Sequence, residues 1–179
     1  IIGKWDFLLN ATFLNSTGFR DHERGNYQQI NGNIGYQVDA GVETRFYFGS
    51  YNIEQKLPGT LSIADALNRP QIASASASGT GFGGNQSRDQ WSQRIANRTS
   101  FARAQGRFDI DTFFIHQRLS HPIFQVIDQD GFTAGMAPKL TYATTIAGHA
   151  DEFIVGARAI GGRNAARQFV NFNGSYREQ

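Results

Sequence analysis

The chain has 179 residues, a formal net charge of +2 and no cysteine. That length allows one domain with a real core, while the missing cysteine excludes disulfides and thiolate metal sites. So small a charge does not point to nucleic acid, and no run of about eighteen apolar residues offers a membrane helix. The 15 Phe and 6 Tyr against one Met suit strands or interfacial aromatic girdles better than a helical bundle. The opening residues, IIGKW, carry no signal-peptide apolar stretch, so an exported chain is expected to be mature or incomplete.

Trp5 to Asn15 reads as a first strand, with Trp5, Phe7, Leu9, Ala11 and Phe13 on one face and a mixed second face. A polar loop, Ser16 to Asn26, follows. Gln29 to Asn52 is the clearest stretch of the chain. Ile30, Ile34, Tyr36 and Val38 alternate with Gln29, Asn31, Asn33 and Gln37; after a reversal at Asp39-Ala40-Gly41, Val42, Thr44, Phe46 and Phe48 alternate with Glu43, Arg45, Tyr47 and Gly49. The result is a hairpin with one apolar and one polar face.

Residues 53–91 read as a long insertion. Pro58, Pro70 and the small-residue tract from Ser74 rule out strand over most of it. Ser62, three residues before Asp65, is a helix N-cap signal, so a short helix is expected over Ile63 to Asn68, and the Ser/Gly tract is expected to be mobile. Strands resume at Gln93 to Ala104, whose pattern leaves its face ambiguous, one assignment having Ile95, Thr99 and Phe101 outward and Arg94, Arg98 and Ser100 inward, and at Arg107 to Leu119. Ser120 to Thr133 reads as a loop, because of Pro122 and Asp130-Gly131. Ala137 to Ala147 and Phe153 to Ile160 complete the strands, and the tail from Gly161 is expected to lack one.

Several motifs admit a sharper reading. GTGFGG, Gly79 to Gly84, fits a dinucleotide pattern but lacks the preceding strand and following helix, so it reads as a loop. Asp109 and Asp111 share a face without a nucleophile nearby, and Asp128 to Gly131 is too short for a calcium loop. His116 and His121 fall on opposite faces of a continuous strand, which disfavours a joint metal site. The Asn-x-Ser/Thr sites at Asn10, Asn15, Asn97 and Asn173 would suggest glycosylation in a secreted eukaryotic protein, but at least two lie inside expected strands and read as incidental.

Short connections near residues 40, 105 and 149 alternate with long ones at 16–26, 53–91 and 120–133. In an antiparallel meander this puts every short turn at one end and every long loop at the other, the asymmetry of bacterial outer-membrane barrels. The expected fold is therefore all-β: an antiparallel meander of about seven transmembrane strands, a number too small and too odd for closure, hence part of a larger barrel.

GFRDH (Gly18 to His22), VETRFYF (Val42 to Phe48) leading to LPGTLS (Leu57 to Ser62), RIANRTSF (Arg94 to Phe101) and HQRLSHPIF (His116 to Phe124) occur in that order. Together they resemble the β-barrel of TonB-dependent outer-membrane receptors of the siderophore-receptor-like branch, over nearly the whole chain. The resemblance implies that residues 1–179 are a partial barrel domain out of about 22 strands, with residues 53–91 as a long extracellular loop; the plug domain and remaining strands are not found here. It implies a place in the bacterial outer membrane, contact with outer-membrane lipid, coupling to the TonB complex through the plug, and import of a scarce small-molecule or metal-chelate ligand. Arg45, Tyr47, Tyr51 and Phe82 are candidate lumen or mouth contacts for that ligand. No catalytic residue, cofactor or metal site is expected. A passive porin-like or structural barrel and a soluble β-sandwich binding domain remain as alternatives.

Overall fold

The computed structural model describes residues 3–177. Those residues form one antiparallel sheet of nine strands: β1 (Trp5–Ser16), β2 (Gly25–Asp39), β3 (Val42–Lys56), β4 (Ser87–Arg103), β5 (Gly106–Pro122), β6 (Gln125–Ile146), β7 (His149–Gly156), β8 (Ala159–Phe172) and β9 (Ser175–Arg177). Each pairs with its sequence neighbour, except that β7 and β8 both pair with β6, so nine strands fill eight lanes. Two short helices, α1 (Ile63–Asn68) and α2 (Ala75–Ser78), lie between β3 and β4.

The register confirms the alternation. Phe7 lies opposite Ile34, and Ile34 opposite Phe46; two residues along β3, Phe48, Ile95 and Phe114 form a second apolar row across β3, β4 and β5. No second layer covers this face within the described residues. Phe7 is 68% exposed and Phe153 59%, whereas the buried apolar residues are Ala77 and Val126. A water-soluble sandwich would bury such a face.

The apolar face is bounded by aromatic residues. At the short-turn end Trp5 packs on Tyr36, ring centroids 4.4 Å apart, and Phe101 stacks on Phe108. Toward the other end stands Trp91, with Arg118 over its ring and His116 at its edge. Level with it in register the same face turns ionic, with Asp130 accepting from Arg118 Nε at 2.6 Å and paired with His116 Nε2 at 2.9 Å. Trp91 and Phe101 are ten residues apart on β4 (101 − 91), which at strand rise and barrel tilt gives a band about 25 Å tall, matching the apolar band of a membrane barrel.

Several expectations need correction. The sheet has more than seven strands, because the stretches read as a loop at 120–133 and as a strandless tail from Gly161 are paired. β5 runs through Pro122, Ile123 and Phe124 make a tight turn, and β6 starts at Gln125. Pro122 ends its strand, where a missing N–H costs little, and Asp130-Gly131 continues the ladder because Asp130 is held by His116 and Arg118. The strict alternation of short and long connections therefore fails. Turns at 40–41, 104–105 and 147–148 share one end, but the other end carries loops 17–24 and 57–86 together with tight turns at 123–124 and 173–174. The long insertion is 57–86 rather than 53–91, since β3 and β4 extend into it.

The lane formed by β7 and β8 breaks at Ala157 and Arg158, for a reason written in β6. The Pro138 carbonyl accepts from the Ala157 N–H at 3.1 Å. In an antiparallel ladder the amide of that residue would point to the same neighbour, and proline has none. Pairing resumes at Ala159, opposite Met136.

Candidate functional site

The polar face carries three levels of chemistry. Nearest the short turns lies an ion-pair lattice. Arg45 donates to Asp6 through Nη1 at 2.5 Å and Nη2 at 2.8 Å, to Asn33 Oδ1 at 2.6 Å, and to Glu43 through Nη2 at 3.0 Å. To reach Asp6 from two strands away the guanidinium lies flat over Gly35, where any Cβ would collide with it. Arg98, directly opposite Arg45, is turned away by a bidentate pair with Asp111 at 2.6 and 2.9 Å. Asp109 is buried, accepting from Ser100 Oγ at 2.6 Å and Arg107 Nε at 2.7 Å, with Lys139 Nζ at 3.7 Å. Asp109 and Asp111 are thus both neutralised by cations, which leaves no free carboxyl pair for acid–base work.

At mid-strand a hollow of about 400 Å³ opens onto this face. Tyr47 and Phe113 wall it, the small side chains of Ala96 and Ala137 leave its space, and Arg94, Arg98 and Arg158 reach it. Toward the loops the face becomes one of amides and phenols. Tyr51 Oη accepts from Gln90 Nε2 at 2.7 Å, and Tyr27 donates to Gln29.

The loop end is tied together by two side chains. Arg20 donates to the carbonyls of Ile72 (Nε, 3.0 Å), Gly59 (Nη1, 2.7 Å) and Pro58 (Nη2, 3.1 Å), clamping loop 17–24 to the base of loop 57–86. His22 Nε2 lies 3.0 Å from the Gln86 carbonyl. On the far side Asn171, fully buried, donates through Nδ2 to the Gly84 carbonyl at 3.1 Å and to the Ile123 carbonyl, and accepts from the Gly174 N–H at 2.8 Å. Backbone bonds Gly83 N–Asn171 O and Asn173 N–Gly81 O, at 3.0 and 2.7 Å, add to the dock. The Ser/Gly tract, expected to be mobile, opens with α2, capped by Ser74 and burying its own Ala77. Its lack of bulk allows this close approach: a side chain at Gly59 would strike Ser74 and Ala77.

Helix α1 forms as its cap signal predicts, the Ser62 Oγ accepting from Asp65 N at 3.1 Å. Arg69 and the Ser62 hydroxyl hold the Asp65 carboxyl below its usual range. Its contribution to the loop is therefore present above the unfolded pKa and fades as pH falls through the lowered folded one.

The predicted site residues do not come together. Arg45, Tyr47 and Tyr51 share the polar face of β3, but Arg45 is locked in the lattice, Tyr47 lines the hollow and Tyr51 stands a further four residues toward the loops. Phe82 lies away from all three on loop 57–86, 74% exposed and bridged to Phe172. Arg158, Asn171 and Arg20 were missed. Arg20 sits within GFRDH, but no local pattern marks its reach across fifty residues to Ile72.

No family model and no curated protein matches the chain. Solved structures do. The unliganded ferric citrate transporter FecA superposes with a TM-score of 0.85 over 98% of this chain and 26% of its own, at 15% identity. The fold is that of a TonB-dependent receptor barrel wall. FpvA of P. aeruginosa, bound to an iron-loaded pyoverdine, gives a TM-score of 0.72 over 94% of this chain and 25% of its own, at 13% identity. FpvAI in complex with pyocin S2 gives 0.70 over the same shares at 12% identity. The chain spans about a quarter of the length of each. On such a wall the apolar face meets lipid and the polar face lines the lumen.

Clamp loss is the easier of the loop contacts to test. Replacing Arg20 with alanine removes three charge-assisted bonds to carbonyls and should weaken docking of loop 57–86 by about 1.5–3 kcal/mol. Limited proteolysis should then cut within 57–86 well before wild type; an unchanged cleavage rate would mean that the clamp holds nothing.

Proposed function

We infer that residues 1–179 form part of the barrel domain of an outer-membrane receptor that binds a scarce ligand, such as a ferric siderophore, at its long-loop end and imports it with energy delivered through TonB. The observation that carries this reading is the fold: a single-layer meander with a lipid-suited outer face, superposing on a ferric citrate transporter over 98% of its length. Its uncovered edges at β1 and at the last lane call for further strands on both sides. The plug that would contact TonB, and the strands that close the barrel, belong to the receptor outside this stretch. The protein works by binding and passage rather than by catalysis. Loop 57–86, docked at both ends of its span, is a preorganised wall of the mouth rather than a free flap.

The test is uptake of radiolabelled iron as a panel of ferric chelates, in cells with and without the full-length gene and with and without TonB. The reading predicts that at least one chelate enters only when both are present. Uptake that persists without TonB would make the protein a passive channel, and no gene-dependent uptake of any chelate would remove iron from the proposal.

A further inference from the structure

A hollow of about 690 Å³ opens on the outward face at the loop end, over β2 to β6. Its charged side chains have the parity of the apolar rows: Glu54 and Lys56 that of Phe48, Asp89 that of Ile95, Arg118 that of Phe114, and Asp128 that of Phe132. Lanes flank it on both sides, and it opens away from the lumen. Neither a plug nor further strands at the sheet's edges can therefore fill it.

The hollow begins where the apolar band ends. Trp91 lines its lower edge, level with Asn52 and with Arg118, whose guanidinium lies over the indole ring. Arg118 gives Asp130 its Nε, and its two Nη groups have no hydrogen-bond partner among the described residues. The next row toward the loops sets Glu54 directly opposite Asp89, followed by Ser120 and Asp128, and none of these three carboxylates has an ion pair among the described residues. Above them Lys56 gives one donor to Asn85 Oδ1 at 2.7 Å, and the Arg24 guanidinium has no partner among the described residues.

We propose that this hollow seats the headgroup of a phosphorylated glycolipid of the membrane leaflet at the loop end. Phosphate oxygens accept from Arg24, Lys56 and the open edge of Arg118, while Glu54 and Asp89 accept from sugar hydroxyls. Trp91 offers an apolar plane to a sugar ring at the level where acyl chains begin along Phe48 and Ile95. A bare phosphate would be repelled by three carboxylates, and a neutral sugar would leave three cations unmatched; a phosphorylated sugar meets both sets. The proposal rests on the receptor reading only in taking the apolar face as the one that meets lipid.

The experiment uses the full-length protein purified in detergent, with native mass spectrometry reading how much of each added lipid it retains. The probes are diphosphorylated lipid A, phosphatidic acid, which has the phosphate without the sugar, and phosphatidylcholine. Wild type should retain lipid A best. Arg24→Gln with Lys56→Gln should lower that retention about tenfold or more, since two charge-assisted contacts are lost, and leave phosphatidylcholine unchanged. Glu54→Val with Asp89→Val should lower it several-fold by removing the acceptors for the hydroxyls. Arg163→Gln, on the outward face of β8 but outside the hollow, should match wild type. Heat-modifiable gel mobility checks that each variant is a folded barrel; where a double variant is not, its two single substitutions replace it and should each lower retention about threefold or more. Equal retention of lipid A by wild type and the arginine–lysine variant overturns the site, and so does a loss in Arg163→Gln as large as in that variant, which would reduce the hollow to a diffuse basic belt. Phosphatidic acid held as well as lipid A, or a gain in the carboxylate variant, would show that the sugar is not read and overturns the glycolipid. Failure of iron uptake alone would count against the receptor reading and leave this result standing.

Discussion

Arginine in place of Ile34 is expected to destabilise the folded barrel by about 2–4 kcal/mol, the cost of a cation on the lipid face near the midplane. Ile34 is flanked by Phe7 and Phe46 in register, 40% exposed, and midway along the apolar band of β2. The matched control is Asn31→Arg, three residues away on the polar face, where water and neighbouring amides can receive the charge; its cost should fall below about 1 kcal/mol. Urea unfolding of the full-length protein from liposomes measures both. Equal costs would mean that the two faces do not see different solvents.

Asn171→Ala should produce the second large effect, confined to the loop end. The substitution strips the donor from the Gly84 and Ile123 carbonyls and the acceptor from the Gly174 amide in a fully buried position. Leaving such groups unmet costs about 1–3 kcal/mol each, enough to undock loop 57–86 rather than tolerate the gap. Asn171→Asp should be no better, since a carboxylate can accept from Gly174 but only repels the two carbonyls. Hydrogen exchange is the direct readout. Amides of Gly83 and Asn173 should lose protection in both variants while those of β2 to β4 keep theirs. Full protection at Gly83 in Asn171→Ala would show that the backbone bonds alone hold the loop.

The parts of the fold legible in the sequence were those in which alternation and turn chemistry agree. At β2 and β3, period-two patterning and the Asp39-Ala40-Gly41 reversal point the same way, and the Asp39 Oδ1 indeed accepts from the Gly41 N–H at 2.8 Å. Helix α1 was legible through its cap. β8 was not, because its outward side chains include Gly161, Arg163, Ala165 and Arg167, which give no apolar stripe. A usable signal was nonetheless present: Asn173-Gly174 is a hairpin dipeptide, and both residues have positive φ, 59° and 82°. At 120–133 the reverse occurred. Pro122 and Asp130-Gly131 were given the weight of turn formers, while the ladder tolerates one at a strand end and the other beside an ion pair.

The site was less legible than the fold for a physical reason. Face membership follows from parity along a strand, so Arg45, Tyr47 and Tyr51 could be placed on the polar side, whereas the mixed pattern of β4 left Arg94 and Arg98 open until the register fixed them. Which arginine is consumed by a carboxylate and which is left free depends on lateral register. Arg45 and Arg98 are neutralised across strands whose pairing is fixed by distant turns, and Arg94 is not. Arg158 falls opposite Ala137 only once the lane of β7 and β8 is known to run in one register along β6. Asn171 is buried only because three loops converge on it.

The central claim is that one face of this sheet meets lipid and the other a wet lumen. The stretch contains no cysteine, so single cysteines introduced into the full-length protein in bilayers can carry nitroxide labels without local interference. The measurement is collision of those labels with oxygen, which partitions into lipid, against a water-soluble nickel chelate. Labels at Ile30, Ile34, Phe46 and Phe48 should favour oxygen, and labels at Gln29, Asn31, Tyr47 and Tyr51 should favour the chelate or be shielded from both. Period-two alternation of that kind along β2 and β3 is the predicted result; equal accessibilities on the two sets, or the inverse pattern, would contradict it.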